Sequence, residues 1–281
     1  MNATLQAWIG RRETAVDHIT VPLVQRLAAT LDRDDPAPRP GDPLPAGWHG
    51  VLFPRVVRHT QIGPDGHPQR GDFVPPVPLP RRMNGGKRIR FHGELRVADE
   101  VVRESVIQAI EPKQGRSGPM VVVTVKADIH TPRGLAVTEE QDILYRDAAR
   151  PDVARAAPPE APRDARWQRA WTPDEIMLFR YSAVTFNAHR IHYDQPYATR
   201  TEGYPERIVN GGLTALLVFE LAREALRAPI AQCTVRNVSP LYVRRTLTVC
   251  GRPEADAGAA AFWVTGHQGA LSLSAEFTSA S

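Results

Sequence analysis

The amino-acid sequence predicts an α+β protein in which one unit is built twice. Three observations carry that prediction. First, Arg90-Phe91-His92-Gly93-Glu94-Leu95-Arg96-Val97-Ala98-Asp99-Glu100-Val101 aligns with Arg236-Asn237-Val238-Ser239-Pro240-Leu241-Tyr242-Val243-Arg244-Arg245-Thr246-Leu247, sharing Arg, then Leu-x-Val, then an apolar residue. Second, each copy is followed by three further strand-like runs separated by Gly, Asp or Pro turns. Third, a long apolar helix is expected at Gly211–Leu226, with Leu213, Leu216, Leu217, Leu221 and Ala225 on one stripe. One helix wrapped by a curved antiparallel sheet, made twice, is a double hot-dog arrangement.

In chain order, Thr20–Asp32 reads as a helix, capped by Thr20 with Pro22 in its first turn. Pro36–Pro80 holds 12 of the 26 prolines and the turn signal Gly63-Pro64-Asp65-Gly66. Its apolar residues Trp48, Val51, Leu52, Phe53 and Phe73 predict that it packs on a surface or covers a site. Strands are expected at Lys87–Val97, Val101–Pro112, Pro119–Thr131 and Leu135–Tyr145. Asp147–Arg166, rich in Ala, Pro, Arg and Asp, reads as a linker. It divides an N-terminal repeat (1–146) from a C-terminal one (167–281). Trp167–Trp171 is strand-like, and Thr172-Pro173-Asp174-Glu175 starts a helix with Thr172 as its expected cap. Strands at Ala231–Val238, Leu241–Cys250, Ala260–Gln268 and Leu271–Phe277 close the chain. The N-terminal repeat lacks a counterpart of the Gly211–Leu226 helix, so its helical part is expected to have become Pro-rich loop. That half would shape the cavity while the other keeps the chemistry.

Composition narrows the function classes. A 281-residue chain with 42% hydrophobic and 23% charged residues has the balance of a soluble globular protein with ample core. Its net charge of +4 is spread along the chain, which suits an anionic small molecule better than nucleic acid. Cys233 and Cys250, expected on neighbouring strands, read as reduced core thiols. No leader-like N-terminus and no apolar run of membrane-spanning length is visible, and a cytoplasmic protein is expected. Dinucleotide, phosphate-loop and Gly-x-Ser-x-Gly motifs are missing. His189 and His192 lack a credible third metal ligand in the sequence, so no metal is expected.

The chemistry concentrates in Tyr181–Asp194, followed by Ile208-Val209-Asn210-Gly211-Gly212. The first stretch holds groups that handle protons; the second opens a helix whose first N–H groups have no partner within it. A proton-handling loop beside an anion-accepting helix end is what chemistry on a thioester needs.

These residues resemble the MaoC-like (R)-specific enoyl-CoA hydratases, whose loop reads Asp-x-Asn-Pro-(Ile/Leu)-His-x-Asp. Here it reads Asn187-Ala188-His189-Arg190-Ile191-His192-Tyr193-Asp194. The chain is more similar still to the mesaconyl-CoA and itaconyl-CoA hydratases and the fungal and mitochondrial hydroxyacyl-thioester dehydratases. Trp8-Ile9-Gly10-Arg11, Pro78-Leu79-Pro80-Arg81-Arg82-Met83, Gly115-Arg116-Ser117-Gly118-Pro119 and Leu178–Asp194 carry this likeness, which spans nearly the whole chain. It implies a hydro-lyase that adds water reversibly to the α,β-double bond of a short branched or dicarboxylic enoyl-CoA, of the itaconyl- or mesaconyl-CoA type. CoA or acyl carrier protein would be part of the substrate, with no cofactor. Analogy with other hot-dog proteins, which commonly pair, points to a homodimer.

His192 matches the family's catalytic histidine, and imidazole can take a proton from water and return it near neutrality. Asn187 stands where the family keeps an aspartate; an amide can hold a water but is no base, and asparagine equally caps turns. Gly211 and Gly212 would bring a thioester oxygen to the helix end, or simply permit tight helix packing. Arg190 is a candidate for a substrate carboxylate or CoA phosphate, against a structural arginine. Asp194 either orients His192 or, the better reading on local sequence, caps a helix; Tyr181 reads as core or cavity wall. Asn210 and Asn84 replace a histidine and a tryptophan that relatives carry. Rival readings are a thioesterase using Glu220 on the helix stripe, and an acyl-thioester-binding protein with an altered site.

Overall fold

The computed structural model describes residues 3–115, 118–147 and 157–280. Its strands join into one 10-stranded antiparallel sheet of order β1-β3-β4-β5-β2-β7-β10-β9-β8-β6. The N-terminal half contributes β1 (Arg12–His18), β2 (Arg81–Phe91), β3 (Glu100–Gly115), β4 (Gly118–Thr131) and β5 (Gly134–Arg146). The C-terminal half contributes β6 (Trp167–Trp171), β7 (Ile230–Asn237), β8 (Leu247–Pro253), β9 (Ala259–Thr265) and β10 (Leu271–Ser279). Each half runs its strands in the same internal order, and β2 pairs with β7, Ile89 opposite Cys233, to fuse them. The fold is a double hot-dog.

Helices follow the same duplication. After the single turn α1 (Ala3–Gln6), α2 (Val21–Thr30) follows β1 and α3 (Glu175–Val184) follows β6. The hydroxyl of Thr20 accepts from Leu23 N at 3.3 Å, as a helix cap should. α3 departs from expectation: Asp174, not Thr172, caps it by accepting from Met177 N at 2.8 Å. Asp174 is the residue immediately before the first helical one, whereas Thr172 lies outside and bonds Thr246 at 2.9 Å. α4 (Gly211–Leu226) spans the expected residues and packs against β6 to β10. Its buried side chains share one apolar core with Ile19, Leu27, Ile89 and Val97 of the other half.

The sequence repeat has a structural counterpart of the same register. Leu95 and Val97 in one half, Leu241 and Val243 in the other, are buried, and Ala98 and Arg244 both take positive φ, 75° and 59°. Leu44 N bonds Leu95 O at 2.7 Å, and Val209 N bonds Leu241 O at 2.9 Å. Just beyond these paired anchors the C-terminal half begins α4, while the N-terminal half makes only the 3₁₀ turn Trp48–Val51. That short turn stands where the C-terminal half has α4.

Three expectations shift. β1 was not foreseen; its alternation of half-buried and exposed residues is that of an edge strand. The strand expected at Leu241–Cys250 begins only at Leu247, because the left-handed Arg244 breaks the run. Cys233 and Cys250, expected on neighbouring strands, lie on β7 and β8 with β10 and β9 between them; both are buried free thiols. Of the expected linker, residues 148–156 lie outside the described residues, and the end of the stretch is held where Leu271 N bonds Pro159 O at 3.1 Å. Among the described residues, no helix is long and apolar enough to cross a membrane.

Candidate active site

The loop that carries the candidate histidines starts where α3 ends. Phe186 turns the chain at φ 50°, and Asn187 N bonds Ser182 O at 2.8 Å. Asn187 Oδ1 then accepts from His189 N at 3.0 Å, so the amide closes a turn with the oxygen that would otherwise hold a water. A 3₁₀ turn, Arg190–His192, follows and delivers His192 into the protein, only 8% exposed. Its Nδ1 lies 2.8 Å from the carbonyl oxygen of Ile208. A carbonyl only accepts, so Nδ1 carries the proton and Nε2 keeps its lone pair. Burial lowers the His192 pKa to about 4, so the imidazole is neutral at pH 7. Neutral and tautomerically fixed, it has the form a general base requires.

Ile208 also ties His192 to the second element. Ile208 N bonds Ile191 O at 3.0 Å, and three residues later α4 begins at Gly211. Asn210 precedes that helix without a side-chain cap bond, which leaves the first-turn N–H groups unspent by any cap. The two glycines differ. A Cβ on Gly212 would fall 2.2 Å from the Tyr181 hydroxyl, whereas one on Gly211 would meet Asn237 Oδ1 at an ordinary 3.5 Å. The packing explanation therefore accounts for Gly212 but not for Gly211. Tyr181, 5% exposed, is both core and cleft wall, and burial pushes its hydroxyl pKa up. The Oδ1 atoms of Asn210 and Asn84 are buried acceptors that no protein group satisfies.

Arg190 and Asp194 pair with each other. Asp194 Oδ2 accepts from Arg190 Nε at 2.9 Å and Nη2 at 2.7 Å, while its Oδ1 caps the following turn through Tyr197 N at 3.0 Å. Arg190 also donates to Pro64 O at 2.9 Å and lies 4.2 Å over the Tyr197 ring. Arg190, the candidate for a substrate carboxylate or CoA phosphate, is thus engaged by the fold, and Asp194 caps a turn. The pairing braces the loop against a segment 126 residues away.

That segment brings Asp65, read from the sequence only as part of a turn, and His67, which the sequence reading did not single out. Asp65 Oδ2 lies 3.1 Å from His67 Nδ1, and the His67 ring sits 4.1 Å from the His189 ring, itself 5.4 Å from His192. Donor atoms of Asp65, His67 and His189 lie within 4.8 Å of one another, and His192 is not among them. His67 holds the Asp65 carboxyl far below the usual range, whereas burial drives His189 down to about 2. On the other wall, Glu139 accepts from Lys87 Nζ at 2.8 Å and has His49 Nε2 at 3.4 Å. His67, His189, His49, Lys87 and Glu139 line a cleft of about 2380 Å³ with His192, Asn210 and Gly211.

Glu220 takes no part in it. It accepts from Trp48 Nε1 at 3.0 Å and pairs with Arg33 and Arg223, inside the core, 5% exposed. A carboxylate held by three donors is a poor base or nucleophile. The thioesterase reading loses its residue.

Comparisons with known proteins agree with this geometry. The family model for hydroxyacyl-thioester dehydratase type 2 matches residues 47–243. A Mesaconyl-C(4)-CoA hydratase of Chloroflexus aurantiacus is 46% identical over 91% of both chains. The mitochondrial hydroxyacyl-thioester dehydratase type 2 of Schizosaccharomyces pombe is 24% identical over 74% of this chain and 77% of its own. In structure, a MaoC-like dehydratase from Phytophthora capsici superposes with a TM-score of 0.71 over 99% of this chain and 97% of that one, at 12% identity. A Mycobacterium tuberculosis protein with a double hotdog fold gives 0.62 over 96% of each, at 14% identity. The fused sheets, the buried histidine loop and these matches lead to one conclusion: the chain belongs to the hydroxyacyl-thioester dehydratase type 2 family and is a hydro-lyase with a double hot-dog fold.

Proposed function

We propose that the chain hydrates the α,β-double bond of a short branched or dicarboxylic enoyl-CoA, of the mesaconyl- or itaconyl-CoA type. The observation that carries this reading is His192, neutral and held by Ile208 O so that Nε2 is basic, in one cleft with the uncapped start of α4. Nε2 takes a proton from water as the oxygen adds to the β-carbon. The double-bond pair moves into the thioester, giving an enolate whose oxygen is held by the N–H of Gly211 at the positive end of α4. His192 then returns the proton to the α-carbon, and one water has been added in balance. Water supplies both the hydroxyl and the proton, and His192 carries that proton to the α-carbon; CoA enters as part of the substrate.

The named activity of the 46% identical relative supports the acyl type. So does Arg82, half-buried in the cleft wall and close enough for its charge to lower the His189 pKa; it offers a cation to a second carboxylate. Loss of the enoyl-thioester absorbance with mesaconyl-, itaconyl- and crotonyl-CoA tests the proposal. Expected is hydration of at least one dicarboxylic substrate faster than crotonyl-CoA, lost in His192→Ala. A wild-type protein inert on all three, or a fully active His192→Ala, would refute it.

A further inference from the structure

We infer that His67, held by Asp65, is the second hydrogen-bond acceptor for the attacking water. It would take the place where the family resemblance expects an aspartate and this chain has Asn187. The inference rests on the hydratase reading and adds a catalytic residue to it.

Two acceptors are needed to aim a water: one takes the hydrogen that leaves, the other fixes the second hydrogen and so the direction of the lone pair. His192 Nε2 is the first. Asn187 spends one lone pair of Oδ1 on His189 N at 3.0 Å to close its own turn, and its amide nitrogen only donates, so it has at most one acceptor site left for a water. His67 lines the same cleft as His192, and the ring of His189 lies between the two, 4.1 Å from His67 and 5.4 Å from His192. The Asp65 carboxylate grips His67 twice, accepting the backbone N–H on Oδ1 at 3.0 Å and facing Nδ1 with Oδ2 at 3.1 Å. A carboxylate that accepts from Nδ1–H leaves Nε2, across the ring, as an acceptor. His192 is prepared the same way, by a carbonyl instead of a carboxylate. The cleft therefore contains two imidazoles, each tied at Nδ1.

The turn bearing His67 is fastened to the histidine loop with little freedom. Arg190 N bonds Asp65 O at 2.9 Å, Arg190 Nη1 bonds Pro64 O at 2.9 Å, and Gly63 N bonds His67 O at 2.7 Å. Gly66 sits so close that a Cβ there would lie 1.8 Å from Ala188 O, at a φ of 89°. His67 rests on His189, whose ring touches His192 edge-on. A turn needed only to cross the surface would not require this docking. In the reaction His67 gains and loses no proton; the water proton goes to His192 and then to the α-carbon.

Steady-state kinetics of three variants, with thermal melts beside them, test the assignment on the best enoyl-CoA. His67→Phe keeps a ring on His189 but no acceptor, and should melt like wild type while kcat falls about 10²- to 10³-fold with KM little changed. His67→Gln restores an acceptor oxygen and should recover at least tenfold of that loss. His67→Ala should regain activity when imidazole is added, which a packing role would not show. If His67→Phe keeps wild-type kcat, or His67→Gln is no better than Phe, the inference is wrong while the hydratase reading stands. If wild type hydrates none of the substrates, both fall.

Discussion

The hydroxyl of Tyr181 occupies the space that a side chain at position 212 would need, 2.2 Å from where its Cβ would stand. Gly212→Ala should therefore force apart α3 and α4, cost about 1–3 kcal/mol and disturb the helix end. Thermal melts of Gly212→Ala, with and without Tyr181→Phe, check this: removing the hydroxyl should recover much of the loss. Gly211→Ala, with its nearest neighbour at 3.5 Å, should leave stability nearly unchanged.

Glu220 is expected to be structural. Glu220→Ala would leave the buried Trp48 indole N–H without its acceptor and take a carboxylate from Arg33 and Arg223, which keep Asp35 and the Ala46 carbonyl, a loss of about 1–3 kcal/mol. Denaturant unfolding measures it. A thiol-reactive dye should detect no CoA release by wild type beyond background.

The two buried histidines set an acid limit on stability. In the unfolded chain an imidazole titrates near 6.5, whereas His192 folded titrates at about 4 and His189 at about 2. Below pH 6.5 the unfolded state therefore binds more protons, and stability falls as pH falls, by up to ~1.4 kcal/mol per pH unit for each histidine. Melting temperature should begin to drop near pH 6, above the range where carboxylates titrate. Replacing His189 with Phe should flatten the slope. The acid limb of kcat/KM should lie well below 6.5, since the free enzyme's base is His192.

Asn187→Asp is expected to keep the loop, because a carboxylate oxygen accepts from His189 N as the amide does. The new charge beside two buried imidazoles would favour their protonated forms. The acid limb of the pH–rate profile should move to higher pH, with the melting temperature at pH 7 changed little.

The strong periodicities were legible: α4 is found at the predicted residues, and β6 likewise, because an apolar stripe or run between clear stops leaves few alternatives. His192 was legible as a chemical type in a family-like motif, and its burial and its bond to Ile208 confirm a fixed imidazole. What escaped was set by distance along the chain. Asp65 and His67 sit in a Gly-Pro-Asp-Gly turn whose local signal is complete without any partner, and their docking depends on Arg190 and Ala188 far downstream. Arg190 looked like a ligand group for the converse reason: its pairing with Asp194 at 2.7 Å shows only in three dimensions. The Leu-x-Val runs imitate strands because both apolar residues are buried. Positive φ at Ala98 and Arg244 makes them hooks that receive the segments at Leu44 and Val209.

The seam between β2 and β7 has a consequence for how such a site can change. In a pair of identical hot-dog chains every substitution would occur twice, on both sides of the symmetry axis. Here the halves are one polypeptide, so the N-terminal half can carry the short turn Trp48–Val51 where the C-terminal half carries the full helix Gly211–Leu226. The proline-rich arm that runs on from that turn reaches across to the histidines of the other half. A change made in one half of such a chain is not repeated in the other, so the cleft can be altered on one wall alone.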